Sequence, residues 1–219
     1  MKLRIKTLLA QLARLACLAA ACGAALTALP AFAQDPPACR AVHFADIDWT
    51  DITSTTALAS TVFEGLGYQP VTTVASVPIS FAGLKSKQLD ISLGYWWPVQ
   101  EKAIAPFVES KSIEVLQPPN LTGSEGVFGP NDGEAHVYTL TSPDYLSRCP
   151  NAGKLVSNLR FSTQLENVVM QSVMNKEKSA DAARAYLKKN PQVLDAWLAG
   201  VKTYDGKDGL PAVKAYLGL

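Results

Sequence analysis

Arg40-Ala-Val-His-Phe-Ala-Asp46 runs through Ile47-Asp48-Trp49-Thr50-Asp51 into Ile52 to Leu66, and the fold class turns on that passage. Its first seven residues are short, apolar and partly alternating, as a strand is. Thr50 and Asp51 suit a helix cap, and Ala57, Val62, Phe63 and Leu66 supply apolar positions for the helix that follows. Gly67 can end it in a left-handed turn. The pattern then repeats. Val71 to Val77 is a β-branched run, and Pro78 starts a helix through Leu84 to Lys87. Asp90-Ile-Ser-Leu93 is a third strand ended by Gly94, Pro98 opens a helix to about Glu109, and Ser112 to Leu116 is a fourth strand. This alternation predicts an α/β fold: a mostly parallel sheet with helices on both faces.

Downstream, Gln117 to Gly133 is the long turn-forming stretch, and His136 to Thr141 is a further strand; one strand of the sheet is expected to run antiparallel. The remainder is helical. Helices are expected over Pro143 to Arg148 and Pro150 to Leu159. A capping box at Thr163 and Glu166 opens another to about Asn175. Ser179 caps a helix to Lys189, Pro191 begins one ending near Gly200, and Leu210 to Leu217 is the last.

The first 33 residues address the chain. Lys2, Arg4 and Lys6 precede the mostly apolar run Leu8 to Leu29, and Ala31-Phe32-Ala33 offers a small-x-small cleavage signal. This order predicts a secretory signal peptide, residues 1–33, with the mature chain starting at Gln34 and the periplasm as destination. A lipid anchor through Cys22 is the alternative, weakened by Ala19 where such signals carry Leu. The predicted leader holds four basic residues and no acid, so residues 34–219 carry 16 basic and 19 acidic residues, a net charge of −3. Without a basic patch, nucleic acid is not an expected partner. The mature length suits a single well-cored domain. Cys39 and Cys149 are its two cysteines. In an oxidising compartment such a pair is most simply a disulfide, with two buried free thiols as the alternative. His43 and His136 are the two histidines and lack metal-ligand spacing, so no metal or cofactor is expected.

Enzyme signatures are scarce: there is no glycine-rich phosphate loop and no nucleophile elbow. Tryptophan placement is the informative feature. Trp49, Trp96 and Trp97 lie at strand exits, where such sheets bind ligands. Asp51 stands two residues from Trp49. Aromatic faces plus a carboxylate suit a quaternary ammonium group, which has no N–H to donate and is selected by ring quadrupoles. Each residue also has a structural reading. Trp97 can pack into the sheet edge, Trp49 can be a lone interface aromatic, and Asp51 can cap its helix.

At these residues the chain resembles the periplasmic choline- and glycine-betaine-binding proteins of ABC importers, the choline type most closely. Phe44-Ala-Asp-Ile-Asp-Trp-Thr-Asp-Ile-Thr53 resembles their first strand-to-helix segment, and Asp90-Ile-Ser-Leu-Gly-Tyr-Trp-Trp-Pro98 their second aromatic motif. Cys149 to Asn158 and Ala196 to Val201 resemble their C-terminal stretches. The resemblance implies a type II periplasmic-binding-protein lobe and no enzyme activity. Choline or glycine betaine is the implied ligand, and an ABC permease the implied partner. It makes Trp49 and Trp96 cage walls and Asp51 the polar contact, with Tyr95 and Trp97 as further candidates, and pairs Cys39 with Cys149.

One departure is large. Members of that family have two lobes, the second a middle segment on the order of 100 residues. Here Pro118 to Val127 stands in its place, so residues 34–219 are expected to form one lobe from halves 39–118 and 127–219. A competing reading follows: an interaction or sensor protein that docks a partner, or a second copy of itself, through the exposed tryptophan face. A truncated remnant without function is the third.

Overall fold

The computed structural model describes residues 34–122 and 135–219. The predicted leader and most of the turn-rich stretch lie outside the described residues. Six strands form one sheet: β1 (Ala41–Asp46), β2 (Gln69–Val74), β3 (Ile91–Trp97), β4 (Glu114–Val115), β5 (Leu121–Thr122) and β6 (His136–Thr141). Their order is β2-β1-β3-β6-β4, with β5 also on β6. β1 is parallel to both β2 and β3, and β6 runs antiparallel to β3, β4 and β5. The fold class is the α/β lobe read from the sequence. β5 is an addition that turn chemistry hid: Leu121 pairs with Val137 and Thr122 with His136. The chain therefore enters and leaves the stretch 123–134 on neighbouring antiparallel strands.

Nine α-helices are described: α1 (Thr50–Gly65), α2 (Val77–Lys85), α3 (Glu101–Glu109), α4 (Tyr145–Arg148), α5 (Pro150–Asn158), α6 (Thr163–Met174), α7 (Ser179–Lys189), α8 (Val193–Trp197) and α9 (Gly209–Leu217). Successive β1 residues point to opposite faces. Phe44 enters the larger core with Leu58, Val62, Phe63, Leu155 and Leu187, whereas Ala45 joins Phe81, Leu84 and Ile104 under α2 and α3. α1 is buried along much of its length and is packed against by α6, α7 and α9.

The strand β3 breaks its own alternation. Between Ser92 and Tyr95 the pairing with β6 slips, three steps on β3 facing two on β6. This bulge inverts the side-chain phase. Ile91 and Leu93 face the larger core, yet Trp96, not Tyr95, continues on that side; Tyr95 and Trp97 pack on the other. Gly94 lies inside the bulge, and a Cβ there would come within 2.8 Å of Ile52 on α1. Only a glycine lets helix and strand approach this closely.

The N-terminal end of the described chain is tied at two points. Cys39 and Cys149 form a disulfide with Cα atoms 5.7 Å apart. Asp35, 1% exposed, accepts hydrogen bonds from the Asn151 and Ala152 amides at 2.9 and 3.0 Å and from the Tyr68 hydroxyl at 2.8 Å. It thereby satisfies the first free amides of α5.

Several helix starts differ from the sequence reading. The N-cap of α1 is Trp49, with Asp51 inside the first turn. Residues 98–100 form a turn, and α3 starts at Glu101 rather than Pro98. The expected Thr163–Glu166 capping box does not form. Ser162 is the N-cap of α6, and its hydroxyl accepts the Leu165 amide at 3.1 Å. A hydroxyl one residue earlier satisfies the same end, which leaves Glu166 free of that duty. Ser179 is likewise the first residue of α7, after Lys178 as N-cap.

Candidate ligand-binding site

The end of β1 sets the first wall. Asp46 is buried, and its Oδ1 accepts the Asp48 amide at 2.9 Å and the Thr53 hydroxyl at 3.1 Å. Burial raises its carboxyl pKa. That side-chain turn accommodates Asp48 at φ 62°, a conformation aspartate tolerates better than most residues. The chain reverses there and presents Trp49 at the mouth of α1, 44% exposed.

β3 supplies the second wall. The bulge directs Trp96 toward Trp49, with ring centroids 6.3 Å apart and planes at 64°. Gln100 fixes the strand end, its amide donating to the Trp96 carbonyl at 2.8 Å. Asp51, in the first turn of α1, interacts with the Trp96 side chain from β3 and lines the same cleft. Burial raises its carboxyl pKa, and the Asp46 charge adds to this. The amides at the start of α1 and the Trp96 side chain act in the other direction, favouring the anion.

A cleft of about 390 Å³ opens beside these groups, lined by Thr50, Asp51, Trp96, Leu121, Glu166 and Met170 among others. That size is in the range of small-molecule sites. Of the residues singled out from the sequence, Asp51 and Trp96 line it and Trp49 abuts Trp96. Tyr95 and Trp97 do not reach it. They line a separate cleft on the opposite sheet face, where Tyr95 packs on Tyr138 at 5.6 Å and Trp97 on His136 at 5.7 Å.

Glu166 escaped the sequence reading. It stands 115 positions from Asp51, and its one local signal, the spacing to Thr163, pointed to a cap. Folding brings it opposite Asp51. It is 6% exposed, and burial together with the Asp51 charge pushes its pKa up to about 8. Among the described residues no group of His, Cys, Asp and Glu could hold a metal ion, and no helix is long and apolar enough to cross a membrane.

Comparison with known proteins places this geometry in context. The family model of the substrate-binding domain of ABC-type glycine betaine transport systems matches residues 40–130 and 120–189. A solved ABC-transporter choline-binding protein in complex with choline is 32% identical, with a TM-score of 0.78 over 84% of this chain and 100% of that one. A solved ABC-transporter choline-binding protein in an unliganded semi-closed conformation is 32% identical, with a TM-score of 0.74 over 83% of this chain and 100% of that one. Lactococcal OpuAC bound to glycine betaine, at 12% identity and TM-score 0.63, shares the fold. The uncharacterized protein ORF1 of Chromohalobacter salexigens is 40% identical over 116 residues, 53% of this chain and 64% of that protein, so less than two thirds of that relative is spanned.

Proposed function

The chain belongs to the family of substrate-binding domains of ABC-type glycine betaine transport systems, a family of transport proteins rather than enzymes, and from that premise we propose that it binds a small quaternary ammonium compound. Choline is the first candidate and glycine betaine the second. The observation that carries this reading is the Trp49–Trp96 pair beside Asp51. The Trp96 ring at the cleft attracts a diffuse cation, Trp49 packs against it edge to face, and the carboxylate adds charge attraction and an acceptor for a ligand hydroxyl.

The leader read from residues 1–33 supports export to the periplasm, where such a protein hands its ligand to the permease of an ABC importer. The twelve residues from 123 to 134 are too few for a second lobe, so the reading is of a single-lobe binder presenting half of an enclosing site. Titrating choline and glycine betaine while following tryptophan emission tests it. A saturable change with choline, stronger than with glycine betaine and absent with sodium chloride at equal ionic strength, is expected. An emission spectrum indifferent to both ligands at tens of millimolar sinks the reading.

A further inference from the structure

Glu166 is an acid with no evident structural duty. It projects from the first turn of α6, is 6% exposed, and lines the same cleft as Asp51. Among the described residues its carboxyl has no hydrogen-bond or ion-pair partner; the interaction it feels is the charge of Asp51 from α1. Asp46 acts in turn on Asp51. α7, which also packs on α6, directs Arg184 to Glu64 and Tyr216 instead. A helix N-terminus favours an ionised acid, yet desolvation and the facing carboxylate outweigh it and keep the proton on, with a pKa of about 8. Its carboxyl oxygens open on the cleft rather than being sealed in the core. A ligand entering the cleft would change that balance.

We propose that Glu166 is a second ligand-facing carboxyl that gives up its proton when a monocation enters the cleft, so that uptake of a quaternary ammonium ion is coupled to release of one proton. The inference rests on the binding reading above. The exchange balances: a neutral carboxylic acid and a free cation become a carboxylate beside the bound cation, and the proton passes to the buffer. A quaternary ammonium has no N–H, so any proton released comes from the protein. Asp51 alone is poised as an anion against the ligand; with Glu166 ionised as well, the cleft favours a net cation over a zwitterion.

Calorimetry of choline chloride into the purified protein, in phosphate and in Tris at pH 7, reads the proton count from the difference in heat. About one proton released per choline is expected, with affinity rising by up to about tenfold per pH unit and levelling above about pH 8. Glu166→Gln should bind with no proton release and no rise between pH 6 and 9. Choline binding by the wild type that is flat over this range overturns the proposal and leaves the ligand class standing. Failure to bind at any pH overturns the ligand class instead. Side-chain carbon NMR of Glu166 in the ligand-free protein separates the two cases without a ligand: titration near pH 8 supports the proton-holding role, and titration in the ordinary glutamate range ends it.

Discussion

Trp96 faces the cleft, whereas its neighbours Tyr95 and Trp97 face the other side of the sheet, and substitution should separate the tryptophans. Trp49→Ala and Trp96→Ala are each expected to weaken choline binding, by about 0.5–2 kcal/mol for the lost ring. Trp97→Ala should leave binding largely intact and lower the melting temperature, because its ring packs on His136 across the sheet. Equal loss of binding in all three, with the fold intact by circular dichroism, would contradict the assignment. Glu166 gives a second expectation, independent of ligand. Its folded pKa of about 8 lies above the ordinary 4.5. Between those values the unfolded chain has lost the proton that the folded chain keeps. Stability therefore falls as pH rises through that window, by on the order of a few kcal/mol in all. In urea melts at pH 5, 7 and 9, Glu166→Gln should show a shallower decline than the wild type and be the more stable protein at pH 9.

The bulged strand β3 and the helix α1 form the unit that makes the candidate site. β3 must shift phase to turn Trp96 toward Trp49, and α1 must lie close enough for Asp51 to stand beside it. Gly94 serves both. Gly94→Ala would drive a methyl to within 2.8 Å of Ile52 and should cost about 1–3 kcal/mol, as overpacking does. Adding Ile52→Val removes the nearest methyl and should restore part of the loss, a coupling that a double-mutant cycle measures. Strictly additive effects would place the cost elsewhere. The α6 start illustrates the same dependence between elements. With Ser162 as the cap, Glu166 falls one residue deeper in the helix and faces the cleft.

For the molecule as a whole, the disulfide and Asp35 bind the N-terminal segment to α5, so that a site built at the exit of β1 has a fixed base. The Cys39–Cys149 bond closes a loop of 110 positions, and its reduction should lower stability by roughly 2–5 kcal/mol. Thiol labelling of denatured, unreduced protein from the periplasm should find neither cysteine free; two labelled cysteines would contradict the pairing. A cleft walled on one side sets the affinity. Two indole faces at about 0.5–2 kcal/mol each and a partly screened carboxylate at about 0–1 kcal/mol correspond to millimolar binding at best. Calorimetry on a monomer verified by light scattering should therefore give a dissociation constant near or above millimolar. A micromolar value would mean that some other part of the chain closes over the ligand.

The α/β class and the strands β1 and β6 were legible because each is local: periodicity, turn residues and short-range spacing carry them, as they carry the expectation of an export leader and the candidate motif of Trp49 and Asp51. The strand β3 was expected to end at Gly94 and instead runs on to Trp97, because a bulge absorbs the glycine within the ladder. Trp96 was legible as an aromatic at a strand exit, but strict alternation from Ile91 and Leu93 would have sent Tyr95 and Trp97 to its side of the sheet. The bulge that reverses this arises from the slipped pairing with β6 and the approach of Ile52 to Gly94, and neither is written in a nearby residue. Glu166 depended on tertiary structure still more. Its spacing to Thr163 read as a cap, and only the packing of α6 on α1 sets it against Asp51, in surroundings dry enough to hold its proton. Periodicity is a property of the chain; which face a bulged strand presents, and which acid loses its water, are properties of the contacts the folded chain makes.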